Sequence, residues 1–402
     1  MPNNKCLICA NESFKELLRI DQFPILFGAV PAERKAKVKK YPLTIAVCNG
    51  CSLIQQINLL PGSVLDEVYS SDYYSCPAPT GNQVGRRVIH EFYSFFGKND
   101  PSQGRKSPKG KILEVGCFDG YLLTLLKSDG WDVYGCDPAG QTSIAIANLG
   151  KDKINNDFFS RDKYPAKHFD VIIFRHLLEH LYDLHSFLDA VFYSLKDDGC
   201  IFIEVPNIYS TFQFGGFGSF FHQHISHFSI ETLQHLLNKH QFAIEQYEET
   251  SVLHVQAKKN LKAGNVIEPI VQVDIESRKN DFLEKYGKIT GEIERVFADP
   301  ENKKIAIFGA SAVATTMANM IDPTNRKKIS CVYDNDPSKQ GKFIEGVEVA
   351  IASPASITPE SFDILIIGSY IFSDEIFAQL TQLGVDKDKI VSLHDRGALL
   401  GT

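Results

Sequence analysis

Short apolar runs alternate with helical periodicities along most of the chain. The run Ile112-Leu113-Glu114-Val115 has the near-continuous apolar character of a strand buried in a parallel sheet, and it leads through Gly116 and Gly120 into a helix and a second strand ending at Asp137. The two glycines let the chain turn tightly while a ligand approaches the backbone, so residues 111–140 read as a nucleotide-binding βαβ half. Further apolar runs at 171–174 and 200–205 predict a fourth and a fifth strand, joined by an amphipathic helix and a Lys196-Asp-Asp-Gly199 turn. A helix over 83–96 and a polar loop over 98–110 precede this unit. A charged helical connector follows near 274–297, with apolar residues at intervals of three and four. Beyond it the pattern repeats: a strand over 304–310, a helix over 313–321, a strand over 329–334 ending in an acid, and another strand over 363–368. Strands alternating with helices predict an α/β fold with two doubly wound sheets.

Composition narrows the function. A chain of 402 residues, 44% of them apolar, is long enough for two or three domains with real cores. Its formal charge of −7, without long runs of either sign, leaves no electrostatic footprint for nucleic acid or an anionic membrane. No apolar run is long enough to span a bilayer and the first residues lack a signal-peptide core, so a soluble, cytoplasmic protein is expected. The oligomeric state is left open.

Four of the nine cysteines are arranged. Cys6-Leu-Ile-Cys9 and Cys48-Asn-Gly-Cys51 are two C-x2-C knuckles 38 residues apart, able to offer four thiolates to one tetrahedral ion. Zinc suits such a site best, iron could also occupy it, and chance pairing is the third reading. With no open coordination position the metal would be structural. Cys76, Cys117, Cys136, Cys200 and Cys331 are scattered and read as buried thiols.

The first βαβ turn is not a dinucleotide fingerprint, because Phe118 and Tyr121 stand where G-x-G-x-x-G needs glycine. Glu114-x-Gly116-x-x-x-Gly120 followed by Asp137 instead resembles the S-adenosylmethionine site of class I methyltransferases. That resemblance implies a Rossmann-like core in which Glu114, Gly116, Asp119, Gly120 and Asp137 bind the cofactor. Asp137 would accept the two ribose hydroxyls and Gly116 would lie against the methionine part. It also places Arg175, His176, Glu179 and His180, after the fourth strand, at or near the pocket.

The whole chain is similar to the three-part plan of the nucleotide-sugar C-methyltransferases. The resemblance implies a small zinc-binding domain over 1–80, the methyltransferase core over 85–257, a helical connector over 258–300 and a C-terminal Rossmann-like α/β domain over 301–402 containing Asp334-x-Asp-Pro-x-Lys339-Gln-Gly-Lys-Phe343. Such enzymes methylate C3 of a 4-keto-6-deoxyhexose carried on a nucleoside diphosphate, through an enolate. Their Tyr-His-Glu-His-x-x-Tyr-Phe-Ser motif maps onto residues 221–229, making His224 the base, with Gln223 and His227 beside it, and Tyr73 or Tyr74 facing the sugar. An imidazole with an ordinary pKa near 6.5 is apt for that role.

The chain departs from the motif at Phe221, Gln223 and His227, and Val313 stands where the family's third-domain turn has lysine. Glutamine cannot ionise, so Gln223 adds no basicity to His224. His222, His224 and His227 could alternatively hold a metal, and His222 and His227 could be satisfied core or loop histidines. Sugar C-methylation therefore stands beside two other readings. One is an O-methyltransferase; the other is a non-catalytic module that binds a partner or a nucleotide sugar.

Overall fold

The computed structural model describes residues 5–25, 28–35, 38–64, 80, 83–104, 109–213, 218–260, 275–369 and 372–393. They form two compact units: one of Met1–Lys15, Ala46–Ser210 and Ile225–Asp274, the other of Glu16–Ile45, Thr211–His224 and Ile275–Thr402. The early strands are β1 (Phe14–Pro24), β2 (Ala29–Val30), β3 (Lys40–Cys48) and β4 (Ile54–Ile57).

The first unit is built on a seven-stranded sheet. Its strands are β5 (Lys111–Val115), β6 (Asp132–Cys136), β7 (Ile154–Asn155), β8 (Phe169–Arg175) and β9 (Leu195–Pro206), with β11 (Phe242–Glu249) and β12 (Val252–Lys259) following the short β10 (Ser226–His227). The sheet order is β11-β12-β9-β8-β5-β6-β7. Strands β5 to β9 pair in parallel, and β12 runs antiparallel to both β9 and β11. Order reverses between β5 and β8, which opens the ligand crevice of such sheets at the carboxyl ends of these two strands. Ile112, Val171 and Phe202 are fully buried and pack with Phe92 and Phe96 of the helix Gln83–Lys98, which runs two residues beyond the expected 83–96.

Two local expectations change. Residues 196–199 are not a free turn before the fifth strand but part of β9. Leu195 pairs with Phe169 and Cys200 with Val171, so the surplus residues bulge out of the ladder. Lys196 fixes the bulge by an ion pair of 2.8 Å to Asp170. The amphipathic stretch after β8 also divides, into a 3₁₀ turn at Leu178–His180 and a helix at Leu184–Ser194 whose Asp183 cap accepts the Ser186 N–H at 2.9 Å.

The second unit carries five parallel strands in the order β16-β14-β13-β17-β18: β13 (Ile305–Phe308), β14 (Ile329–Tyr333), β16 (Ile351–Ala352), β17 (Ile364–Ile367) and β18 (Ile390–Ser392). The short β15 (Phe343–Ile344) pairs with β2, and Lys40 lies 3.4 Å from the Glu345 carboxylate, so residues near 29–45 are stitched to C-terminal ones. The connector helix, Ile275–Ala298, buries Ile293 and Phe297 against Ile305 and Met317. Among the described residues no helix is long and apolar enough to cross a membrane.

Candidate functional site

The carboxyl ends of β5, β6 and β8 bring most of the expected cofactor residues onto one side of the sheet. Gly116 follows β5 in a left-handed conformation, φ +81°, its N–H donated to the Cys136 carbonyl at 2.8 Å. A Cβ placed there would meet nothing within 4 Å, so the backbone faces open space, as a ligand cradle requires. Gly120, φ +74°, serves the opposite purpose, since a Cβ would stand 2.8 Å from that of Ala145. It closes the start of the helix Tyr121–Ser128 against the helix Thr142–Leu149.

Asp137, immediately after β6, aims its carboxylate back at this turn. It accepts the Phe118 N–H at 3.0 Å and the Ala139 N–H at 2.7 Å, one on each oxygen, and each oxygen keeps a lone pair. Burial raises its pKa against the pull of these two donors. Asp119 is used differently. It is 2% exposed, accepts the Thr80 N–H at 2.8 Å and the Tyr121 N–H at 3.1 Å, and so pins the turn. Glu114 is 3% exposed, and its Oε2 has no hydrogen-bond partner among the described residues. Burial pushes this carboxyl up to about 8, and Arg175 only partly offsets it. An orphaned buried oxygen and an open glycine backbone on neighbouring residues fit a polar ligand in the crevice.

Arg175 and His176 end β8 beside a carboxylate that the sequence did not single out. Glu204, on β9 and 1% exposed, accepts Arg175 Nη2 at 2.6 Å, while His176 Nε2 lies 3.0 Å from the same oxygen. Its other oxygen meets His254 Nε2 at 2.6 Å. Burial alone would raise Glu204, yet Arg175, His176 and His254 hold it well below the usual carboxylate range. Glu179, expected at or near the pocket, is 1% exposed and lies 3.3 Å from His176 Nδ1.

The two cysteine knuckles converge. The sulfurs of Cys6, Cys9, Cys48 and Cys51 lie within 4.8 Å of one another, with Cys6–Cys51 at 3.4 Å and Cys9–Cys48 at 3.5 Å. A tetrahedral ion with Zn–S bonds near 2.3 Å sets its sulfurs about 3.8 Å apart, so the spacing suits such an ion. Backbone N–H groups of Ile8 and Gly50 point at the Cys6 and Cys48 sulfurs at 3.5 and 3.3 Å. Gln55 of β4 braces the first knuckle by accepting the Leu7 N–H at 2.9 Å. Cys117, Cys136 and Cys200 are buried thiols, as expected, and Cys331 is half-buried.

The histidines at 222–227 separate by burial. His222 is 2% exposed, its Nε2 3.3 Å from the Phe23 carbonyl, and burial pushes it down to about 4 despite the carbonyls of Phe23 and Tyr41. His227 is 6% exposed in β10, opposite Ile54 of β4, and burial pushes it down to about 3. His224 alone of the three is half-buried, its ring 4.0 Å from that of Phe221. Gln223 donates to the Ile25 carbonyl at 2.8 Å. Val313 is buried at the start of the helix Ala312–Met320 and packs against Gly218, where a Cβ would approach to 2.6 Å. Tyr73 and Tyr74 lie outside the described residues.

Residues 83–247 match the family model described as a methyltransferase domain, and residues 301–391 one described as C2185-like, N-terminal. The chain is 22% identical over 396 residues to the C-methyltransferase NovU of Streptomyces niveus, covering 93% of this chain and 91% of that protein. It is 30% identical over 102 residues to a ubiquinone biosynthesis O-methyltransferase of Bradyrhizobium diazoefficiens, 24% of this chain and 40% of the relative. Among solved structures, the 1,6-didemethyltoxoflavin-N1-methyltransferase of Burkholderia thailandensis aligns at 16% identity and a TM-score of 0.38, covering 54% of this chain and 96% of that one. The domain match, the full-length relative and the seven-stranded sheet agree: the chain is an S-adenosylmethionine-dependent methyltransferase with a class I, Rossmann-like α/β core.

Proposed function

We propose that this methyltransferase transfers its methyl group to a carbon, C3 of a nucleotide-linked 4-keto-deoxysugar, with His224 as the base. The observation that carries the reading is the reach of the similarity. The C-methyltransferase aligns along 93% of the chain, far beyond the methyltransferase domain alone, whereas the O-methyltransferase above aligns along 24%. Bound S-adenosylmethionine supplies an electrophilic methyl on sulfur. Asp137 holds the ribose hydroxyls through its spare lone pairs, and Gly116 gives the methionine part its close approach. His224 takes the proton from the carbon next to the keto group and becomes imidazolium. The resulting enolate carbon forms the new C–C bond as the S–CH₃ bond breaks. Cys6, Cys9, Cys48 and Cys51 hold a structural zinc ion.

Two experiments test the parts separately. Removing a carboxylate that accepts charge-assisted hydrogen bonds costs roughly 1.5–3 kcal/mol, or roughly 10–100-fold in affinity. Asp137→Ala is thus expected to weaken S-adenosylhomocysteine binding by that factor in isothermal titration, and unchanged affinity contradicts its role. With a candidate 4-keto sugar and no methyl donor, wild-type protein in D₂O is expected to exchange the proton at C3. Methyl transfer without exchange favours the second reading, O-methylation, which Gln223 supports: its amide holds a backbone carbonyl and supplies no acid or base. Cofactor binding without any turnover favours a binding module.

A further inference from the structure

Glu204 and His254 stand opposite each other in the β9/β12 register, 50 residues apart in sequence and both almost fully buried. A carboxylate in such a place is costly unless it is fully paired. Glu204 is paired three times by side chains, and its own carbonyl accepts the His176 N–H at 2.8 Å. The residue so gripped, His176, is a non-glycine in left-handed backbone, φ +47°, at the strand end that borders the crevice. A bulky side chain keeps that conformation only where its surroundings impose it.

We infer that Glu204 is a positioning residue for the methyl-transfer site, holding His176 on the strained turn after β8 through both its carbonyl and its carboxylate. His176 has a carboxylate at each ring nitrogen, Glu204 at 3.0 Å and Glu179 at 3.3 Å, so both nitrogens donate and the ring is held as the cation. The His176 side chain is 41% exposed; the burial of the rest works against the charge, but Glu179 and Glu204 outweigh it and raise its pKa to about 9. The other titratable or charged groups of this neighbourhood include Arg175 on β8, His254 on β12, Glu114 on β5 and His180, which lies within 4.8 Å of the Glu179 carboxylate. Arg175 also lies over the Phe92 ring at 4.9 Å, and His254 stacks on Phe95 at 5.4 Å, which fixes two of the side chains that pair with Glu204. Rigid support of this kind, from groups that touch no substrate, is what keeps a site at working geometry.

The sign of the linkage follows from the raised value. The His176 interaction stabilises the fold fully below the ordinary histidine value near 6.5 and is lost as pH rises through about 9. The test is an NMR titration of the His176 ring, assigned with His176→Gln, in wild type, Glu204→Gln and Glu204→Asp, beside titration of each with S-adenosylhomocysteine. Wild type is expected to titrate near 9, Glu204→Gln at least about one unit lower with affinity reduced about tenfold or more, and Glu204→Asp between them. Should Glu204→Gln fail to fold, Glu204→Asp keeps the charge but withdraws it by one methylene and reads the same shift. A wild-type ring titrating at the ordinary value, or a folded variant with ring titration and affinity unchanged, overturns the inference.

Discussion

The His224→Ala variant is expected to lose about 10²–10⁴-fold in turnover, the range for a positioned general base, and with it all measurable C3 proton exchange. Neighbouring histidines should not rescue it. His222 and His227 are almost sealed from solvent, and pKa values near 4 and 3 make each a poor proton acceptor. Their burial also marks them as structural: His222 is tied to the Phe23 carbonyl, and His227 lies in a paired strand. The loss should fall on kcat, with S-adenosylhomocysteine affinity unchanged, because the residues proposed to bind the cofactor sit at the carboxyl ends of β5, β6 and β8. Exchange and turnover at the wild-type level would remove His224 from the mechanism.

Cys48→Ser is expected to release the metal and to unravel the N-terminal knuckles together. Structural zinc in comparable four-ligand sites binds with an apparent free energy of roughly 10–16 kcal/mol, which is folding free energy for a segment with little core of its own. The segment holding Cys6 and Cys9 is such a case: apart from the sulfurs, its support includes the Gln55 bonds to Leu7 and Lys5, and its Ala10 takes a left-handed backbone, φ +59°. Elemental analysis should find about one zinc per wild-type chain and none in the variant. A chelator should lower the melting temperature of the wild type and zinc should restore it. A folded, metal-free wild type with the same melting temperature would contradict the site, and visible thiolate-to-iron absorption would replace zinc by iron.

The parts of the molecule legible in the sequence are those set by local periodicity. The βαβ turn places Gly116, Gly120 and Asp137 within one short stretch, so strand, turn and acid could be read together. Glu204 and His254 were not legible as a pair, because they lie on separate strands and only sheet register joins them. The available signal was the charge itself: a glutamate in a strand as apolar as β9 calls for a partner. Residues 196–199 misled because Lys-Asp-Asp-Gly has turn chemistry, while the parallel ladder on either side required a bulge. The division of the 222–227 histidines into two buried and one half-buried also depends on tertiary packing, on β4 for His227 and on the Phe23 carbonyl for His222. Val313 read as a missing cation; its methyls fill the space beside Gly218.

The protein is incubated with S-adenosylmethionine carrying a ¹³C-labelled methyl group and a nucleotide-linked 4-keto-6-deoxysugar, and the product is examined by carbon NMR. The labelled methyl is expected to be bonded to C3 of the sugar, seen as one-bond carbon–carbon coupling to the ring, and to be absent with His224→Ala. A labelled methyl bonded to oxygen, with no coupling to a ring carbon, would contradict C-methylation.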